Sequence, residues 1–248
     1  MKIEEVANIK LTLYGKAIEL VLSVPKKQVT PVNLLPALHE IDNKFVATAV
    51  EVFVEKNEAI SCKAGCGACC RQPVPLAEFE AYQIASLVEQ LPLSRRTAIK
   101  NKFAEAFEKL ESINWLKHME ELIENSASKE EIQAHALTYF YQNIACPFLE
   151  AESCSIYLDR PLACREYLVT SPAENCKKPS IETIKHIELK FQVSKIVRKL
   201  WKTSYTKDLD SVPMIYALEW AKKHPNKFSK KLGKKWLTEF FNYLSQSK

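Results

Sequence analysis

Eight cysteines in 248 residues fall into two stretches, and any fold of this chain must satisfy what those thiols require. The first stretch holds Cys62, Cys66, Cys69 and Cys70; the second holds Cys146, Cys154 and Cys164, with Cys176 following. Thiolates two to four residues apart converge on one soft cation, because a short loop between ligands folds back around it. Of the chain's four glycines, Gly65 and Gly67 flank Cys66. A tight ligand loop needs positive φ or close backbone approach at such points, and glycine supplies both. The spacing predicts a cysteine-ligated metal centre.

A disulfide framework fits the chain less well. The cysteine density is below that of a disulfide scaffold, and at 47% apolar the chain can bury a core without crosslinks. Glu4 and Glu5, then Lys16 and Glu19 within residues 9–24, leave no signal-peptide pattern. No apolar run approaches the roughly 18 residues of a membrane span. The expectation is a cytoplasmic protein, where clustered thiols bind metal or do redox chemistry more often than they pair.

The net charge of +5 is unevenly placed, with 17 Lys and Arg against 6 Asp and Glu from Lys177 onward. The densest part, residues 227–235, has five lysines and no arginine. A solvated helical face is preferred there to a nucleic-acid surface, which is kept as the less favoured partner; a protein partner is left open.

Residues 9–14 alternate apolar and polar, Gly15-Lys16 can turn, and 18–24 follow, which predicts a hairpin. Leu38, Ile41, Phe45, Ala49, Val52 and Phe53 keep helical spacing over 37–56, with a strand over 46–54 as the alternative because β-branched residues gather there. Further helices are predicted over 77–91, onward from a Ser94 N-cap, from a Ser128–Glu131 capping box to 141, and over 184–201, 212–222 and 236–244. Residues 146–179 hold four prolines and read as a loop folded on ligands. The expected fold is mainly α-helical with a small N-terminal β-hairpin, its cysteine-rich loops held between helices. It is read as one compact domain with segments 1–60, 61–180 and 181–248.

All eight cysteines are candidate ligands, Cys66, Cys69, Cys154 and Cys164 first and the unaccompanied Cys176 last. Neighbouring side chains diverge in helix or strand, so Cys70 is expected to serve a second metal or another face of a cluster. Eight thiolates exceed one tetrahedral zinc; two four-thiolate sites or one polynuclear iron–sulfur centre fit the count. Arg160 and Arg165, either side of Cys164, are placed to steady thiolates through charge and N–H···S contacts, as are Lys63 and Arg71. Tyr157 and Tyr167 are expected to pack over the second stretch. The five histidines show no ligand spacing, and no GxGxxG, Walker, HExxH or GxSxG motif supports nucleotide or hydrolase chemistry.

Gly65-Cys66-Gly67 with Cys69-Cys70, followed by Cys146-Pro-Phe-Leu and Cys154-x-Ile-Tyr157-x-x-Arg160-Pro161-x-x-Cys164-Arg165, resembles the YkgJ-like cysteine-cluster (CxxCxxCC) family of zinc- or iron-chelating proteins. Three residues, not two, separate Cys62 from Cys66. The resemblance covers roughly residues 61–176 and implies a bacterial cytoplasmic metal-binding protein. One relative class, the flagellin lysine N-methylases, carries a similar cluster linked to an iron–sulfur centre and a methyl donor. Three functions follow as expectations: metal binding, sensing or redox; an iron–sulfur-dependent enzyme such as a protein lysine methyltransferase; or a metal-stapled structural or nucleic-acid-binding module.

Overall fold

The computed structural model describes residues 4–177, 179–180, 182–206 and 209–246. Strands β1 (Glu4–Leu13) and β2 (Lys16–Pro25) pair antiparallel from Glu4↔Pro25 to Leu13↔Lys16. Tyr14 and Gly15 close them with φ of 52° and 79°. Two positive-φ residues make the tight turn whose twist matches that of the strands. In β2, Ile18, Leu20, Leu22 and Val24 are buried and the residues between them face water, the period-2 pattern of a one-sided ribbon.

The described residues also form nine α-helices: α1 (Leu35–Glu55), α2 (Glu78–Gln90), α3 (Leu93–Glu111), α4 (Trp115–Glu124), α5 (Lys129–Tyr141), α6 (Leu162–Glu166), α7 (Val193–Leu200), α8 (Ala217–Lys223) and α9 (Gly233–Gln246). The strand alternative at 46–54 is overturned: that segment continues α1, whose Leu38, Ile41, Phe45 and Ala49 bury one helical face. The Ser128 expectation holds, its Oγ accepting from the Glu131 amide at 3.2 Å while Glu131 Oε2 accepts from the Ser128 amide at 2.8 Å. Ser94 caps nothing. Extended Pro92 flanks α3, which starts at Leu93 and carries Ser94 inside its first turn. Asn114, in the left-handed region at φ 50°, then starts a helix, α4, that the periodicity did not mark.

Residues 184–192 are not helical. Val169 bridges His186, and Thr170 and Ile187 donate to the carbonyls of Lys185 and Leu168, so this segment runs along 168–170. Ile184 and Ile187 are buried there by extended pairing, although their three-residue spacing reads equally as a helix. Val212–Pro213 likewise pairs with Pro75–Leu76 before α8 begins.

Two large cores result. The first joins β2, α1, α7 and α9 through Leu20, Leu22, Phe45, Val197 and Phe240, with Trp201 edge-on to Trp236 at 5.1 Å. The second joins α2, α3 and α4 to Tyr139, Phe148 and Met214, and Cys146 and Cys154 pack against it. A third, small cluster of Ala68, Val169, Cys176 and Ile184 carries Cys62, Cys66 and Cys69 on its side. Each large side chain buried this way contributes about 1.5–3 kcal/mol, which lets the cores, not crosslinks, position the cysteine loops.

Buried carboxylates fix the short helix α6. Glu80 of α2 accepts from the amides of Ala77 and Leu162, both at 2.9 Å. Glu166 accepts from the Ser194 amide at 2.8 Å and from the Ser194 hydroxyl. The helix bearing Cys164 is thus held to α2 at one end and to α7 at the other.

Candidate metal centre

The first cysteine loop is anchored by the Ser61 amide, which donates to Val169 at 2.9 Å. It turns at Lys63–Cys66 (3.1 Å) and again over the Ala68–Arg71 turn, where the Cys70 amide donates to Gly67 at 3.0 Å. The two glycines meet separate needs. Gly65 has φ +80° with nothing within 4 Å of an added Cβ, so its value is conformational. A Cβ on Gly67 would lie 2.4 Å from Leu149 Cδ1 and 2.6 Å from the Glu152 carbonyl oxygen, so its value is close approach.

What approaches Gly67 is the second stretch. Leu149–Glu150 and Ser153–Cys154 form a tiny hairpin around Ala151 and Glu152, both at positive φ. Arg71 grips Glu152 with both terminal nitrogens, at 3.2 and 2.5 Å, and also donates to the Gly67 carbonyl at 3.1 Å. Arg71 is therefore paired with a carboxylate, which sequence adjacency to the thiols did not foretell. The Cys146 amide donates to the Cys70 carbonyl at 2.7 Å. Pro161 precedes α6, and the Cys164 amide donates back to it at 3.0 Å. Cys176 sits in the Ala173–Lys177 turn, fully inside.

All eight cysteines are free, and all eight line one cavity of about 290 Å³. Among the described residues no Asp or Glu lines it, and the basic side chains that do are Lys63 and Arg160. Among the described residues no three Cys, His, Asp or Glu side chains stand close enough together to hold an ion as they are placed. The thiols surround the space without meeting in its middle. Cys69 and Cys70 follow each other in the tight Ala68–Arg71 turn, and both line the same cavity.

The electrostatics follow from enclosure. Burial pushes the Cys146 thiol up to about 12 and Cys176 up to about 11, and raises Cys62, Cys154 and, further still, Cys164. Cys69 is raised first by the neighbouring Cys70 thiol and then by burial. Charge on Cys69 bears on Cys62, Cys146, Cys154, Cys164 and Cys176 alike. Arg160 acts in the opposite sense on Cys62, Cys69 and Cys154. A soft cation supplies the compensation such thiolates lack.

Arg160 stacks on Tyr157, its guanidinium carbon 4.1 Å from the ring centre, and its buried Nε has no hydrogen-bond partner among the described residues. Arg165 lies outside the cavity lining, spending its guanidinium on Asn43 (3.0 Å), His39 (3.2 Å) and the carbonyls of Arg160 (3.0 Å) and Leu158. Tyr167 lines the cavity and accepts from Gln72 at 2.7 Å. Gln72 and Met214 also line it, and nothing in their local sequence signals that.

No helix among the described residues is long and apolar enough to cross a membrane. No curated protein and no solved structure matches the chain. The family model described as "Putative zinc- or iron-chelating domain", CxxCxxCC, matches residues 61–187, just over half the chain, and takes in all eight cysteines. With its thiols gathered around one cavity and that match over them, the chain belongs to the CxxCxxCC family, and metal binding is the function the match supports.

Proposed function

We propose that the eight thiols hold one polynuclear sulfur-ligated centre, iron–sulfur or zinc, in a cytoplasmic protein that binds metal for sensing or redox purposes. The observation that carries this reading is a cavity walled by every cysteine of the chain and, among the described residues, by no carboxylate. Sulfur-only donors suit zinc and iron–sulfur chemistry and disfavour magnesium or calcium. Thiols of both stretches lining the same cavity favour one continuous centre over two separate four-thiolate sites. The orphaned Nε of Arg160 fits as well, since a metal-bound sulfur would accept from it.

All eight cysteines are the proposed ligands, drawn inward on loading, with Arg160 and Tyr157 beside them. Arg165 holds the Arg160 carbonyl from behind and so sets the turn that presents Cys164. An iron–sulfur centre would supply one-electron chemistry here, and zinc a fixed crosslink. Elemental analysis with visible absorption on oxygen-free protein tests the reading. Stoichiometric iron with sulfide, or stoichiometric zinc, supports it; a folded protein holding neither overturns it.

A further inference from the structure

The turn at Tyr157–Asp159 has two sides. Tyr157 and Arg160 face the cysteine cavity, Asp159 faces a second cavity of about 260 Å³, and Pro161 borders both. The second cavity lies between the start of α1 and α2. Its polar lining is Asn33, His39, Glu80, Gln83 and Asp159, over apolar walls that include Val32, Leu35 and Ile84. Among the described residues the charged lining is of one sign: two carboxylates, with no Lys or Arg.

Two of the arginines around it, Arg160 and Arg165, are committed elsewhere. Arg160 is stacked on Tyr157 toward the cysteines, and Arg165 is used by Asn43, His39 and two carbonyls. Arg198 and Glu166 act on Glu80 through space, and none of the ion pairs among the described residues includes Glu80. Because a guanidinium only donates, the Arg165 contact makes His39 Nδ1 an acceptor and leaves the ring proton on Nε2. Burial first, then Arg165 and Arg160, push His39 down to about 4, so it adds no positive charge at neutral pH.

Glu80 is 2% exposed and rigidly held, and burial raises it to about 7, so it ionises around neutral pH. Each of its oxygens accepts one backbone N–H, from Ala77 and from Leu162, which leaves each a further lone pair. A buried carboxylate with no cation in contact gains most from a ligand that brings one. We propose that this cavity binds a small organic cation, a primary alkylammonium whose apolar stem lies on Val32, Leu35 and Ile84 and whose ammonium meets Glu80 and Asp159. The proposal goes beyond the metal centre and does not depend on which metal the thiols hold.

Calorimetric titration of the full-length protein with butylammonium at neutral pH tests it, with 1-butanol and butyrate as neutral and anionic probes of the same stem. Butylammonium is expected to bind at least about tenfold tighter than butanol, as charge-assisted hydrogen bonds require. Asp159→Asn, at an exposed position, should weaken butylammonium about three- to tenfold and leave butanol unchanged. Glu80→Gln should remove the preference for the cation; circular dichroism checks that this variant is folded, and Asp159→Asn decides the matter if it is not. Equal binding of butanol, preference for butyrate, no binding of any probe at about millimolar concentration, or an undiminished preference in Asp159→Asn would each overturn the proposal.

Discussion

The amide of Cys146 donates to the carbonyl of Cys70 over 2.7 Å, and this bond joins two cysteine stretches that four helices separate in sequence. Being backbone to backbone, it is insensitive to which side chains the two residues carry. What breaks it is displacement of either loop, and the contact that resists displacement is the one between Gly67 and the 149–154 hairpin.

Gly67→Ala therefore drives a methyl into Leu149 and the Glu152 carbonyl, one of them backbone that cannot move aside freely. A loss of about 1–3 kcal/mol is expected, together with reduced metal content. Gly65→Ala meets open space and costs only the left-handed backbone, about 1–2 kcal/mol. Urea denaturation with metal analysis separates the two, and full metal retention in Gly67→Ala would refute the role given to that contact.

Cys69→Ser removes the thiol whose charge bears on five others. On the one-centre reading, total bound metal should collapse. Elemental analysis that instead finds half the metal retained would mean two independent sites.

Metal uptake should weaken as pH falls. Burial holds Cys146 at about 12 and Cys164 well above the ordinary thiol range, so near neutrality both keep their protons until a cation displaces them. Each proton released makes apparent affinity rise about tenfold per pH unit. Competition against a chelator at pH 6 and pH 8 reads this directly, and a flat profile would contradict thiolate ligation.

Asp42 gives a separate pH dependence for stability. Burial and then the negative charge of Glu166 raise it, and its Oδ2 is buried with no hydrogen-bond partner among the described residues, a setting that favours the neutral carboxyl. The folded pKa lies above the unfolded one, so this contribution is fully present below the ordinary carboxylate range and is lost as pH rises through the raised value. Asp42→Asn should lose less stability than the parent between pH 5 and pH 9. Urea midpoints at the two pH values check it, and parallel losses would remove Asp42 as the cause.

Local signals that need few partners were readable along the chain. The hairpin, the face of α1 and the Ser128 capping box each rest on residues within one turn or one strand pair. Ser94 failed because Pro92 decided where α3 begins. Residues 184–192 failed because two isoleucines three apart satisfy a helix and a buried extended segment equally, and pairing with 168–170 chose the second. Arg165 sits next to Cys164, but adjacent residues on a helix point about 100° apart, so the side chain turned to Asn43 and His39 on α1.

From the sequence alone came a helical chain with a β-hairpin at its start and eight thiols spaced for a soft metal, because periodicity and ligand spacing are properties of short segments. Only the tertiary structure decided that both stretches face one cavity, that Arg160 faces it while Arg165 does not, and that a carboxylate-lined cavity lies behind the same turn. Those relations depend on which loops the helical cores bring together, and the strength of a charge or a thiol depends on what surrounds it there, which no local pattern encodes.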